Sequence, residues 1–320
     1  MRATGGRVVI TGGAGYIGQV LAVYLAERGY KPTVVDVRRP AAGTNAAVIQ
    51  GDIADPTTWA AALAGPPVEA VFHCAGLIQV AESVQDPNRY FAENVGKSIA
   101  MMGHLRRLAP VPVIFSSSAA VYGNPGTVPI PETSPASPTS AYGVTKRQFE
   151  EVLDWHFRAH GQPYAALRYF NAAGSYGGIR EQHRPETHLL PSVWERLRAG
   201  QAPVIFGDDY PTRDGTAIRD FVHVRDLAEA HLKALHYLQA GHASTVINLG
   251  SGTGVSVGEA VDALRRSANR EIRTEIRPRR SGDPAVLVAD IRRAQEILEW
   301  EPAWSSIQAI VRDYTTQTAE

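Results

Sequence analysis

The chain has 320 residues, 44% of them hydrophobic, enough for a sizeable core in one large domain or two. Its 32 basic and 32 acidic side chains cancel, so no net field draws it to nucleic acid or to an anionic membrane. Cys74 is the one cysteine, which excludes an internal disulfide and fits a reducing, cytoplasmic setting. No uncharged apolar run nears the roughly 18 residues of a membrane span, and the early first strand leaves no room for a signal peptide.

The predicted elements open at Arg7–Gly18. Val8–Ile10 reads as a buried strand, followed by a turn with Gly12, Gly15 and Gly18 and by a helix from Tyr16 that Gly29 closes. Strand, turn and helix make a dinucleotide fingerprint. Gly12 permits the tight turn, Gly15 lets the backbone approach a pyrophosphate, and Gly18 lets helix and strand pack closely. The helix N-terminus at Tyr16, Ile17 and Gly18 then faces the phosphates with its N–H groups. A second strand, Thr33–Val37, carries Asp36, 18 residues past Gly18. A carboxylate there suits ribose hydroxyls and repels a 2′-phosphate, which favours NAD over NADP. Arg38 and Arg39 follow and read as solvated charges.

Ala47–Gln50 is a third strand; beyond it Asp52, beside Ile53, could accept from the adenine amino group. Val68–His73 is a fourth, ending in Cys74, Ala75 and Gly76, small enough for a cofactor to lie close. Cys74 itself reads as a core residue with no activating base nearby. A helix over Tyr90–Leu108 leads to a fifth strand, Val111–Phe115, with Ser116, Ser117 and Ser118 at its end. The Pro/Ser/Thr-rich stretch Thr127–Ser140 is a loop. A helix from Ala141 to His160, stopped by Gly161, puts Tyr142 and Lys146 on one face. Ala165–Tyr169 is a sixth strand, leading into Phe170 and Asn171. This alternation predicts a doubly wound, parallel Rossmann sheet over residues 1–171. Past that point come short strands (Val204–Phe206, Val246–Leu249, Glu271–Arg277, Ala285–Val288) and helices (Pro191–Ala199, Val224–Ala240, Val257–Ser267, Ile291–Leu298). They predict a smaller, partly interleaved α/β substrate domain, 172–320, some segments of which pack back on the first.

Ser118, Tyr142 and Lys146 are the candidate catalytic residues. A phenol of ordinary pKa, near 10, is a poor base at neutral pH. A nearby ammonium stabilises the phenolate, as does an oxidised nicotinamide. Such a tyrosine can take a proton from a sugar hydroxyl while hydride leaves the same carbon, with the serine hydroxyl bonding the reacting oxygen.

On these residues the chain resembles the extended short-chain dehydrogenase/reductase superfamily and, within it, the UDP-glucose 4-epimerase family. The matching stretches are TGGAGYIG (11–18), FSSSAAVYG (115–123), AYGVTK (141–146), LRYFNAAG (167–174), VIFGDDYPTRDGTAIRDFVHVRDLAEAH (204–231), NLGSGTG (248–254) and PRRSGD (278–283). The resemblance implies that NAD stays bound and is not consumed. Tyr142 would take the proton from the 4-hydroxyl as hydride passes from C4 to NAD; the 4-keto sugar would then swing round and recover hydride on its other face. It adds Ser116 and Tyr169 to the cofactor contacts. It implies a UDP-sugar substrate and a homodimer. For the substrate it implies Phe170, Leu189 and Val204, with Phe206 in the uracil stretch and Asn171, Arg219 and Arg280 around the pyrophosphate. Asp283 falls near the uridine ribose, and Leu287 lines the sugar pocket where bacterial members often carry tyrosine. In the run Arg277–Arg280 two of the three arginines are expected to be solvated. Ile78 stands where the family usually has lysine, Glu93 where it has asparagine, and the loop Ser175–Thr187 is slightly short.

Other readings stay open: an epimerase of UDP-glucuronate or UDP-xylose, a nucleotide-sugar dehydratase or decarboxylase, or a non-enzymatic NAD-sensing protein. Dehydration needs an acid after the strand-end serine, where Ala119 and Ala120 stand. No metal is expected: His156 and His160 lack a third ligand at a typical spacing, and His223 reads as structural.

Overall fold

The computed structural model describes residues 5–40, 46–106, 111–182, 186, 188–280 and 282–316. β1 (Arg7–Thr11) feeds α1 (Tyr16–Glu27), then β2 (Lys31–Asp36) and β3 (Ala47–Gln50) follow. α2 (Pro56–Leu63) starts where the Asp55 carboxylate accepts from Thr57 N at 2.8 Å and proline takes the first helical position. After β4 (Val68–His73) come α3 (Val80–Gln85), α4 (Pro87–Tyr90), a π-turn at Phe91–Gly96 and α5 (Lys97–Leu105). β5 (Val113–Ser118), α6 (Ala141–His160) and β6 (Tyr164–Tyr169) complete the first half. Ser140 Oγ caps α6 by accepting from Gly143 N, and Gly161 ends it at φ 66°.

The second half is more broken. β7 (Asn171–Ala173) precedes the hairpin of β8 (Ser175–Tyr176) and β9 (Ile179–Arg180), then α7 (Leu189–Arg198) and β10 (Val204–Phe206). β11 (Ile218–His223) runs into α8 (Val224–Gln239), and β12 (Thr245–Leu249) follows. The rest is β13 (Gly254–Ser256), α9 (Val257–Ser267), β14 (Glu275–Arg277), β15 (Val286–Leu287), α10 (Arg292–Leu298) and α11 (Ile307–Thr316).

Seven parallel strands form the central sheet in the order β12-β6-β5-β4-β1-β2-β3. Strand order reverses beside β1, which opens a crevice at the strands' C-terminal ends. Both faces are covered, as the continuous apolar strands require. Leu21 and Leu25 of α1 and Leu227 and Leu235 of α8 pack on Ile10, Phe72 and Leu167. On the other face Trp59, Met101, Met102 and Phe149 pack on Val9, Val71 and Phe115. A smaller core joins α7, α9 and α11 through Leu190, Trp194, Leu197, Val261, Leu264 and Ile310. β12 and α8 lie in the larger body although both come from beyond residue 171.

Three elements differ most from the expectation. The helix over 90–108 is interrupted, because the Asn94 side chain turns inward and bonds both backbone groups of Leu77 (2.7 and 3.0 Å) and Thr145 Oγ1 (3.1 Å); Arg107 and Leu108 lie outside the described residues. The strand over 111–115 begins at Val113 and runs on to Ser118, pairing the serines with Leu167, Arg168 and Tyr169. The strand over 271–277 shortens to Glu275–Arg277, since its partner β10 offers three residues. Part of the loop Ser175–Thr187 also lies outside the described residues.

Candidate active site

The glycine turn shows what each glycine is for. Gly12 has φ +69°, and a Cβ there would stand 2.5 Å from Ala75 N. A Cβ on Gly18 would stand 2.3 Å from Gly12 O, whereas one on Gly15 would meet only Gly12 O at 3.2 Å. Gly12 and Gly18 thus serve packing, and Gly15 keeps an open approach. No side chain among the described residues caps α1 at Gly15, so its first N–H groups face the crevice available to an anion. Ile17, in the first turn of α1, packs on the core, and the Tyr16 hydroxyl donates to Gly174 O at 2.5 Å, tying this helix to the stretch after β7.

Asp36 is buried and bent back over the turn: Oδ2 accepts from Ala14 N (3.0 Å) and Oδ1 from Arg38 N (2.9 Å). The Arg38 side chain is 73% exposed. Asp52 follows β3, with Ile53 beneath it in the core, and Lys97 Nζ donates to its Oδ2 at 2.6 Å. At the end of β4 burial pushes the Cys74 thiol up to about 11, and Ser116 Oγ donates to its sulfur (3.1 Å), so no thiolate is at hand. Ala75 and Gly76 continue the edge, Gly76 lying against Asn94. These positions fit NAD: an open glycine, uncapped N–H groups and a preset acid beside them.

At the next strand end Ser118 stands beside Tyr142; burial raises the phenol's pKa and the neighbouring serine lowers it. Lys146 Nζ lies 5.8 Å from the centre of the Tyr142 ring and donates to Ser116 O at 2.9 Å. Burial pushes Lys146 down to about 8, against Cys74 and Glu150, which pull it up. Ser116 Oγ lies 2.9 Å from the Tyr169 hydroxyl, which in turn contacts His231 Nε2. Burial holds Tyr169 well above the ordinary phenol range and His231 near 4.

Two residues here escaped the sequence reading. Glu150, one turn past Lys146, accepts from Ser117 Oγ (2.5 Å) and takes both arms of Arg168 (3.0 and 2.6 Å) beneath the site. Its position four after Lys146 was the available signal. Asn94, which fixes the backbone at Leu77, carried none.

The substrate candidates line the other side. Phe170 is buried with Ala119 and Tyr122, and Leu287 packs against that cluster. Asn171 starts β7 in register with Phe221, and Arg219 on β11 faces Leu287 on β15 in register. Arg219, buried, donates to Asp283 at 2.5 Å. Arg280 lies over the Phe206 ring, 4.3 Å from its centre, while Val204 shares β10 and Leu189 opens α7. Arg277 pairs with Glu275 (2.7 Å) and Arg279 with Asp209 (2.6 Å), both exposed. Of that run only Arg280 reaches an aromatic of the candidate set. His223 is tied to Asp313 (2.9 Å) and caps α8 through Arg225 N. His188 does stand with Glu181 (2.7 Å) and Glu186 (3.4 Å), an arrangement that the histidine spacing did not signal. Burial lowers the imidazole's pKa, and the two carboxylates outweigh it, pushing it up to about 10.

The chain belongs to the NAD dependent epimerase/dehydratase family, whose sequence profile matches residues 8–250. Within it the chain falls in the UDP-glucose 4-epimerase family. The UDP-glucose 4-epimerase of Corynebacterium glutamicum is 40% identical over 312 residues, 96% of this chain and 94% of that one. The crystal structure of UDP-glucose 4-epimerase from Brucella ovis in complex with NAD is 37% identical, with a TM-score of 0.93 and 98% of both chains covered. The structure of the UDP-Glc/GlcNAc 4-epimerase from Campylobacter jejuni is 33% identical, with a TM-score of 0.83 and 98% of both chains covered.

Proposed function

We propose that this NAD-dependent isomerase interconverts UDP-glucose with UDP-galactose and, through the same site, UDP-GlcNAc with UDP-GalNAc. The observation that carries the reading is Tyr142 with Ser118 beside it and Lys146 Nζ 5.8 Å from the centre of its ring, set on the same sheet edge as the open glycine turn. NAD, held at the open turn of Gly12, Gly15 and Gly18 with Asp36 beside it, would supply the hydride chemistry. Tyr142 takes the 4-hydroxyl proton at its phenol oxygen and gives it back to the epimeric hydroxyl. Ser118 bonds the reacting oxygen, and the Lys146 ammonium favours the phenolate through space. Arg219 and Arg280 suit the pyrophosphate, since guanidinium binds phosphate oxygens in pairs. Phe206 would face uracil, and Asp283 the uridine ribose.

Leu287 supports the wider range. It is shorter than tyrosine and has no hydroxyl to satisfy, and it packs against the Phe170 cluster, so less side chain would stand against the 2-substituent of a sugar that must rotate. The Campylobacter jejuni relative, described as acting on both Glc and GlcNAc forms, agrees with that reading. Apolar pocket changes discriminate by about 10- to 200-fold per methylene-sized step, so a preference is expected rather than exclusion. The dehydratase reading loses support from Ala119 and Ala120, which carry no acid beside Ser118. The setting we propose is cytoplasmic, and the assembly a homodimer through α5 and α6, where Ile99 is 47% and Trp155 67% exposed.

The test is an NMR readout of products from a panel of UDP-sugars, UDP-glucuronate and UDP-xylose included, without added NAD. Epimers of the four hexoses are expected from the wild type. In Leu287→Tyr kcat/KM should fall for the N-acetyl pair and hold for the plain pair. Equal N-acetyl activity in that variant removes Leu287 as the gate.

A further inference from the structure

Lys97 lies on the cofactor edge and has no part in the chemistry above. Its ammonium donates to Asp52 Oδ2 at 2.6 Å and lies 2.8 Å from Glu93 Oε2, one turn earlier. It therefore joins the wall that follows β3 to the π-turn that follows β4. The other oxygen of Asp52 accepts from Ala54 N at 2.9 Å, so among the described residues Lys97 is the only side chain that fixes this carboxylate. Ala54 N and Lys97 together hold Asp52 ionised, below the ordinary carboxylate range against burial.

Charge balance gives the lysine a second task. Asp36, Asp52 and Glu93 put three carboxylates around an edge that takes a dinucleotide diphosphate. Asp36 is held by the backbone N–H groups of Ala14 and Arg38. Asp52 and Glu93 share one ammonium. Glu93 adds its charge to that edge from the π-turn, and Lys97, its partner, stands one turn later. With the ammonium removed, the two carboxylates repel each other and the phosphates, and Asp52 is free to turn away.

We infer that Lys97 is a cofactor-positioning residue: it holds Asp52 in place for the adenosine end of NAD and cancels the charge that Glu93 brings to that edge. This rests on the NAD-dependent reading of the site. The experiment titrates NAD and ADP-ribose into NAD-depleted protein by calorimetry, for the wild type, Lys97→Met, Lys97→Arg, Glu93→Asn and the double variant Glu93→Asn/Lys97→Met. Lys97→Met should weaken both ligands about tenfold, and Lys97→Arg should restore most of the loss. The double variant should recover part of the loss, because one of the two uncompensated carboxylates is gone while Asp52 stays without its anchor. A merely structural lysine would lower the melting temperature of both methionine variants and gain nothing from Glu93→Asn. Wild-type affinity in Lys97→Met, or a double variant no tighter than Lys97→Met, overturns the inference alone. A wild type that binds neither ligand overturns the functional reading and this inference with it.

Discussion

Burial raises the pKa of Tyr142, and Ser118 is the neighbour that lowers it. The phenol therefore needs nearby positive charge to act as a base near neutral pH. Lys146 supplies it without touching the phenol, from the carbonyl of Ser116. With its pKa pushed down to about 8, the lysine is charged below that pH and loses its charge above it. Removing it leaves the phenolate to form only at higher pH, so the rising limb of the pH–rate profile of Lys146→Ala should move to higher pH. Tyr142→Phe keeps the ring and deletes the proton acceptor, and should cost about 100- to 10,000-fold in epimerisation. NAD content after denaturation should stay near the wild-type level. Wild-type turnover in Tyr142→Phe would remove that residue as the base.

The β1–turn–α1 element tolerates nothing larger at Gly18, because a Cβ there meets the backbone of Gly12 and Gly13, which cannot rotate away. Gly18→Ala should destabilise the protein by about 1–3 kcal/mol through overpacking, read as a lower melting temperature. The same element explains why the sequence was informative there: strand, turn and helix follow one another within 21 residues, Arg7 to Glu27, and each leaves a local pattern. The Tyr142–Lys146 pair was legible for the same reason, being one turn of one helix. The π-turn was not, since it depends on Asn94 reaching Leu77 and Thr145 across the fold. Nor was the Glu150–Arg168 pair, which joins a helix to a strand, or the lysine that meets Asp52 from 45 residues away. Short α2, α3 and α11 also went unread; α2 alone carried a signal, the Asp55–Pro56 cap.

At the scale of the whole molecule, the exposed aliphatic and indole groups of α5 and α6 lie on neighbouring helices. A two-fold contact through them would make the same patch serve both copies. Light scattering should find a dimer, and Trp155→Glu should shift it toward monomer; a wild-type monomer at micromolar concentration would end that proposal.

The last strand of the sheet, β12, reaches β6 after a long detour through β7, α7, β11 and α8. During synthesis, β6 therefore emerges with one edge unpaired and with the apolar face of α1 not yet covered by α8. The chain from Tyr169 to Leu249 takes roughly 4–16 s to make at ordinary translation rates. For that interval every nascent copy presents a bare β edge, the template on which chains from neighbouring ribosomes pair wrongly. Crowding of nascent chains during that interval thus bears on the yield of this protein, separately from the stability of its finished fold.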